Sequence, residues 1–129
     1  MPVELSFDRF DGTGDGPRLV VLHGLFGSRR NWRSAAKALA AREDAHGRRP
    51  TVFTVDLRHH GQSPNEGPFD LDEMAADVCR FLEGPVGGIP VVLLGHSLGG
   101  KVAVLALQQC RQMIERMILV DITPFRLPE

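Results

Sequence analysis

The sequence predicts an α/β fold built on a mostly parallel sheet with one antiparallel edge strand. Four short apolar runs support this prediction, at residues 19–22, 52–55, 91–94 and 117–120. Each pair of successive runs is separated by a segment long enough for a helical crossover, which parallel strands require. A more polar segment near the amino terminus, in which Val3, Leu5 and Phe7 alternate with polar residues, predicts an outer strand with one face in water.

Composition describes one globular domain, because 43% of the 129 residues are hydrophobic and 24% are charged. The formal net charge of −1 and the absence of a long basic run argue against a nucleic acid or an anionic membrane as partner. No apolar run approaches the length of a membrane span, and no signal or transit peptide is recognisable. We therefore expect a cytoplasmic protein, with a mitochondrial location as the alternative.

Helical periodicity fills the gaps between the apolar runs. The turn-rich segment 11–17 first predicts a hairpin from the outer strand into the run at 19–22. The two apolar stripes that follow consist of Trp32, Ala35, Ala36, Leu39 and Ala40, and then of Leu71, Met74, Ala75, Val78, Cys79 and Leu82. Asp70 and Glu73 have the spacing of a capping box for the second helix. A third helix, from about Leu98 to Gln109, is apolar nearly all round and is expected against the centre of the sheet.

The two cysteines, Cys79 and Cys110, lie in segments with helical patterns and form no Cys-x-x-Cys motif. No histidine lies near them at a spacing typical of a metal site. We expect two buried free thiols, and hence a reducing compartment.

The segment around Ser97 carries the clearest chemical signal. Gly95-His96-Ser97-Leu98-Gly99 is a Gly-x-Ser-x-Gly pattern that follows an apolar run and precedes a helical pattern. This strand–turn–helix is the context of a nucleophile elbow, in which a serine stands at the tip of a sharp turn. Gly95 and Gly99 remove side chains that would collide there, so we expect a strained backbone at Ser97.

Two backbone N–H groups are candidates for an oxyanion hole, which stabilises the negative oxygen of a tetrahedral intermediate. The Leu98 N–H stands at the start of the third helix, where the helix dipole is positive. The second donor is the Leu25 N–H, in the loop that follows the run at 19–22. In that loop we expect His23 and Gly24 to support the turn, with the His23 ring hydrogen-bonded inside it.

Four motifs together resemble the α/β-hydrolase superfamily, and specifically a branch of serine esterases that act on acyl or lipid esters. These motifs occur in the family's order at residues 23–28, 56–63, 95–101 and 120–124, and the similarity spans residues 18–125. The resemblance implies the α/β-hydrolase fold, a small-molecule ester substrate and no metal or organic cofactor. His59 stands where these relatives tend to have Asn, in a turn.

Carried over residue by residue, the resemblance implies that Ser97 is the nucleophile and that Leu98 and Leu25 form the oxyanion hole. His23, Gly24, Gly95, His96 and Gly99 are expected to support the elbow and the loop. Asp121 matches the position of the triad carboxylate in this branch, with a role in capping the strand end as the alternative. We expect a structural role for Asp56.

The third triad member has no counterpart, because the family order is serine, acid, histidine and all five histidines precede Asp121. Only His60 is a conceivable substitute. We therefore expect residues 1–129 to be the amino-terminal part of a hydrolase core without its lid and last strands, truncated after about the sixth strand, and to be nearly inactive alone.

Two other hypotheses stay open. The chain is a shortened or inactive form that binds a partner, or a second copy of itself, through an open sheet edge. Alternatively, the same scaffold catalyses another reaction, such as the hydrolysis of a thioester or a C–C bond.

Overall fold

The computed structural model describes residues 2–121. In this range the strands and α-helices are, in chain order, β1 (Phe7–Phe10), β2 (Arg18–Leu22), α1 (Arg33–Ala40), β3 (Thr51–Val55), α2 (Leu71–Glu83), β4 (Val91–His96), α3 (Leu98–Gln109) and β5 (Ile114–Val120). A turn of 3-10 helix precedes α1 at Arg29–Trp32, and another precedes β5 at Arg111–Met113. The predicted fold class is confirmed by this alternation.

The five strands form one sheet in the order β1-β3-β2-β4-β5. β3, β2, β4 and β5 run parallel, and β1 pairs antiparallel with β3 at one edge. Because connections between parallel strands leave from the same edge, the segments after β2, β3, β4 and β5 meet at the carboxyl edge of the sheet. The candidate site lies at this edge.

The predicted hairpin between β1 and β2 is wrong, because β3 lies between them. The connecting segment crosses the start of β3 instead of closing a tight turn. The Thr13 N–H donates to the carbonyl oxygen of Arg49 at 3.0 Å, and the Thr51 N–H donates to that of Pro17 at 2.9 Å. The strand also begins later than predicted, at Phe7, so Val3 and Leu5 precede it.

Helices cover both faces of the sheet. α2 and α3 pack together on one face, where Leu22, Phe53 and Leu93 are buried against them. On the other face α1 contributes Ala36 and Ala40 to a smaller cluster. These two layers explain why the central strands are apolar on both faces. In the described part of the chain, no helix is long and apolar enough to cross a bilayer.

The expectation of two free thiols is wrong, because Cys79 and Cys110 form a disulfide. Cys79 lies on α2 and Cys110 directly follows α3, and the packing of these helices brings their Cα atoms to 5.9 Å. This separation is within the range of a disulfide. The disulfide also removes the support that free thiols gave to a reducing compartment.

Candidate active site

Ser97 joins strand β4 to helix α3. Its φ of 53° and ψ of −116° form a combination that residues with a side chain rarely adopt. Such a conformation costs about 1–3 kcal/mol and persists only where the surrounding structure enforces it. The strained backbone predicted at Ser97 is therefore confirmed, and its role as a nucleophile stays a prediction.

Two glycines make the close packing around Ser97 possible. A Cβ atom added to Gly95 would lie 2.4 Å from the carbonyl oxygen of Gly99, and one added to Gly99 would lie 2.3 Å from that of Leu22. Both obstacles are backbone atoms, which cannot rotate out of the way. The first turn of α3 thus packs directly against the ends of β4 and β2.

The start of α3 leaves the Ser97 hydroxyl free of a capping role. The N–H groups of Gly100 and Lys101 donate to the Ser97 carbonyl oxygen at 2.9 and 3.3 Å, whereas the Ser97 side chain makes no capping hydrogen bond. Leu98 is the first residue of the helix. Its N–H therefore belongs to the turn where the positive end of the helix dipole favours negative charge.

The loop after β2 is held by His23, which is fully buried. The His23 Nδ1–H donates to the Gly24 carbonyl oxygen at 2.7 Å, and Nε2 accepts from the Leu57 N–H at 3.0 Å. Desolvation lowers the pKa of His23 below its ordinary value of 6.5, which favours the neutral ring that this pattern requires. The structure confirms that the ring is hydrogen-bonded inside the loop.

Gly24 brings this loop against the serine. A Cβ atom added to Gly24 would lie 3.1 Å from Nδ1 of His96 and 3.3 Å from Cβ of Ser97. Leu25 follows directly, and its side chain is half exposed. That the Leu25 N–H faces the Ser97 hydroxyl stays a prediction.

Asp121 follows β5, the neighbour of β4 on the side away from β2. The Ser97 N–H donates to the carbonyl oxygen of Val120 at 3.3 Å, so the residue before Asp121 is hydrogen-bonded to the serine. Asp121 is exposed and has a φ of 50°. Its predicted position at the end of the last described strand is confirmed, and its role as the acid stays a prediction. The rest of its motif, residues 122–124, lies outside the described residues.

Among residues 2–121, no hydrogen bond joins Ser97 to a histidine. His60, the conceivable substitute base, is buried and donates from Nδ1 to the carbonyl oxygen of Arg58 at 2.9 Å. Its ring centroid lies 4.9 Å from that of His23. His59 has a φ of 67°, a conformation that Asn tolerates well, and this explains the Asn expected at its position.

Asp56 has the structural role expected for it. Its buried carboxylate accepts hydrogen bonds from the N–H groups of Arg29 and Gln62 at 2.7 and 2.9 Å, and it forms an ion pair with the Arg29 guanidinium. Burial opposes the charge of Arg29, but the hydrogen bond to Asp56 and the negative charge of Asp56 raise the Arg29 pKa overall. Asp56 thus ties the loop after β2 to the loop after β3.

Sequence analysis missed a buried ion pair between the segment after β3 and helix α2. The Arg58 guanidinium donates from Nε and Nη2 to the two carboxylate oxygens of Asp77, each at 2.9 Å, and both side chains are buried. The Val3 N–H donates to the same carboxylate at 2.8 Å. The hydrogen bond to Asp77 raises the pKa of Arg58. The available signal was an Arg within the motif at residues 56–63, together with an Asp on a predicted helix.

Sequence analysis also missed a groove beside Ser97. The groove has a volume of about 440 Å³ and is lined by Gly24, Leu25, Phe26, Gly27, Asn31, Trp32 and His96. Phe26 is 92% exposed, although it has the unfavourable φ of 61°. Trp32, which the sequence places in the apolar stripe of α1, is partly buried against the smaller apolar cluster on that face and also meets the ring of His96 edge-on.

A model of the alpha/beta hydrolase family matches residues 19–129, most of the chain. The chain belongs to the alpha/beta hydrolase family. This membership accounts for the order of the sheet and for the strand–turn–helix at Ser97.

The similar proteins include a lipase and an esterase. The chain is 45% identical over 123 residues to the sn-1-specific diacylglycerol lipase ABHD11 of Danio rerio, covering 95% of this chain and 37% of the lipase. It is 36% identical over 129 residues to ethanol acetyltransferase 1 of Cyberlindnera jadinii, covering 99% of this chain and 36% of that protein. A marine microorganism esterase has a TM-score of 0.82 and 31% identity, covering 98% of this chain and 45% of the esterase. The chain therefore spans less than half the length of each of these proteins.

Proposed function

We propose that this chain is the amino-terminal part of a serine hydrolase that cleaves carboxylic esters through an acyl-enzyme on Ser97. The observation that carries the proposal is the strained backbone of Ser97 at the strand–helix junction, with the loop of Gly24 packed against it. A serine in an inert turn needs neither the strain nor the three glycines around it. Membership of the alpha/beta hydrolase family supports the same assignment.

In the proposed reaction the Ser97 oxygen attacks the ester carbonyl carbon while a base takes the hydroxyl proton. The carbonyl oxygen becomes an oxyanion, which accepts hydrogen bonds from the Leu25 and Leu98 N–H groups. The tetrahedral intermediate then collapses: the bond to the alcohol oxygen breaks and the base returns the proton to that oxygen. Water attacks the resulting acyl-serine by the same route and releases the carboxylic acid and free Ser97.

We assign the acid role to Asp121, whose place beside Val120 would let a histidine bridge it and Ser97. None of the histidines in residues 1–129 has this position by resemblance. We therefore place the base in a part of the hydrolase that follows this chain.

The substrate class is an acyl or lipid ester. ABHD11 is a diacylglycerol lipase and another relative is an ethanol acetyltransferase, so both names describe acyl groups bound to an alcohol oxygen. An acyl group on Ser97 could be transferred either to water or to an alcohol, so the proposed intermediate is compatible with both kinds of reaction. A thioester differs only in its leaving group and is the nearest alternative on this site.

Chemical rescue with imidazole tests the proposal. Alone, the chain should hydrolyse p-nitrophenyl acetate little above background, because losing one triad member costs nearly as much as losing all three. Added imidazole should produce a component of the rate that saturates with ester and is absent in Ser97→Ala. Ser34→Ala, an exposed serine on α1, is the matched control and should retain that component.

A rescued rate that is equal in Ser97→Ala and the original chain would contradict the nucleophile assignment. Fast turnover without imidazole that depends on Ser97 would instead show that one of the five histidines is the base.

A second candidate function is binding through the edge of the sheet. In the described range β5 pairs with β4 on one side only, and its residues Ile118 and Leu119 are 46% and 39% exposed. Successive strand residues point to opposite faces, so the strand presents apolar surface on both faces beside an open edge. We propose that residues 1–129 self-associate through this edge when no further strand covers it.

A further inference from the structure

We propose that the groove beside Ser97 binds the unbranched acyl chain of the substrate, with Phe26 and Trp32 as its walls. This inference rests on the proposed function, because it takes Ser97 as the attacking group. It adds which part of the ester occupies the groove and which side chains recognise it.

The groove lies next to the serine. Two of its lining residues, Gly24 and His96, adjoin Ser97: His96 precedes it in the chain, and a Cβ atom on Gly24 would touch its Cβ at 3.3 Å. The ring of Trp32 meets the ring of His96 edge-on, with centroids 5.8 Å apart. An acyl chain that extends from Ser97 into the groove therefore runs along an aromatic wall.

The order of the sheet decides which half of the ester enters the groove. The alcohol must face the base, because the base protonates the departing oxygen. With Asp121 at the end of β5, the base stands on the β5 side of Ser97, whereas the groove is formed by the loop after β2, on the opposite side. This leaves the acyl chain as the part that extends toward Trp32.

The lining chemistry fits a hydrocarbon chain. Leu25, Phe26 and Trp32 present apolar surface. Asn31, the amide among the lining residues, accepts a hydrogen bond from the Ser28 N–H through Oδ1 at 2.7 Å, which commits its acceptor to the loop. Grooves of several hundred Å³ with apolar walls are typical of small-molecule sites.

Phe26 is difficult to explain by stability alone. Its left-handed backbone is unfavourable, and with 92% of its surface exposed its side chain gains almost nothing from burial. A ligand chain lying against the ring would cover this surface. An aromatic side chain offers a large apolar contact area, so a ligand chain that covers it gains from burial.

Trp32 provides a direct assay, because it is the single tryptophan of the chain. We would titrate residues 1–129 with octanoate brominated at its terminal carbon and follow tryptophan fluorescence, which bromine quenches on contact. The expected result is saturable quenching that plain octanoate reverses and acetate does not. The readout is binding, so it needs no catalytic base.

Two alanine variants discriminate the groove from general hydrophobic adsorption. Phe26→Ala should weaken binding about tenfold, because the ring makes much of the apolar contact. It should leave the fold intact, since the side chain is not buried. Leu39→Ala removes a partly exposed apolar side chain on α1 outside the groove and should leave the affinity unchanged.

Quenching that does not saturate, that octanoate does not reverse, or that falls equally in Leu39→Ala would overturn the inference. Failure of the proposed function has a different signature. It is the absence of a Ser97-dependent rate in the imidazole experiment, whether or not the brominated acid binds.

Discussion

Replacing Asp77 by asparagine keeps the shape of the side chain and removes the charge that faces Arg58. In the native chain the Asp77 carboxylate accepts two hydrogen bonds from Arg58 and one from the Val3 N–H, at 2.8–2.9 Å. The two charged side chains are 2% and 0% exposed, so water cannot replace the lost partner. The variant therefore leaves a guanidinium in the interior without its main counter-charge.

The magnitude follows from this burial. Breaking a buried ion pair by removing one partner typically costs about 3–5 kcal/mol, against about 1 kcal/mol or less for an exposed pair. Glu73, whose carboxylate lies 3.7 Å from Arg58, offsets part of the cost, so we expect about 3 kcal/mol for Asp77→Asn. Since domains are stable by about 5–15 kcal/mol, this is a large fraction of the total free energy of unfolding.

Urea unfolding, followed by circular dichroism, measures the loss. Asp72→Asn is the matched control, because Asp72 lies on the same helix and is exposed; it should cost less than about 1 kcal/mol. Replacing both partners, with Arg58→Met and Asp77→Leu, should cost less than Asp77→Asn alone, because no charge is then left unpaired. Equal costs for Asp77→Asn and Asp72→Asn would refute this reasoning.

Three further predictions concern other parts of the chain. Reduction of the Cys79–Cys110 disulfide should lower the free energy of unfolding by about 3–4 kcal/mol, as expected for a separation of 31 residues, and a Cys79→Ser/Cys110→Ser variant should no longer respond to reductant in urea unfolding. The lowered pKa of His23 means that its stabilisation is complete above pH 6.5, the ordinary value, and is lost as the pH falls from there through the folded pKa. In urea unfolding between pH 7.5 and 5, His23→Gln should therefore make the free energy of unfolding less dependent on pH. His46→Gln, in an exposed loop, should leave that dependence unchanged. Finally, Ile118→Lys should shift residues 1–129 toward monomer in size-exclusion chromatography with light scattering, and an unchanged mass distribution of an associated species would exclude the β5 edge as the contact.

Sequence patterns predicted the helices and strands whose pattern lies within one short stretch of the chain. The bounds of α3 agree with the predicted Leu98 to Gln109, because a run of helix-forming apolar residues starts directly after the elbow. β5 begins at Ile114, three residues before the predicted Met117. The difference arises because Glu115 and Arg116 are exposed on an edge strand, where polar side chains carry no penalty.

The main failures concern contacts between distant segments. The partner of β1, the bond between Cys79 and Cys110, and the buried pair of Arg58 and Asp77 each depend on how elements pack. Periodicity states which face of an element is apolar but not which element covers it. The position of Ser97 could be predicted, because the strand, the turn and the helix that define it are consecutive in the chain.

Within the described residues, backbone strain at non-glycine positions is concentrated at the carboxyl edge of the sheet. Among residues 2–121, the non-glycine residues with positive φ are Phe26, His59, Ser97 and Asp121, and each follows a different parallel strand, β2, β3, β4 or β5. At about 1–3 kcal/mol each, their combined cost is comparable to the stability of a whole domain. Ordinary turns avoid this cost by using glycine, as the chain itself does at Gly47 and Gly87. These four positions use side chains instead of glycine, and all four lie at one edge of the sheet. The chain therefore accepts backbone strain at this edge in order to hold particular side chains there, as expected for a functional site.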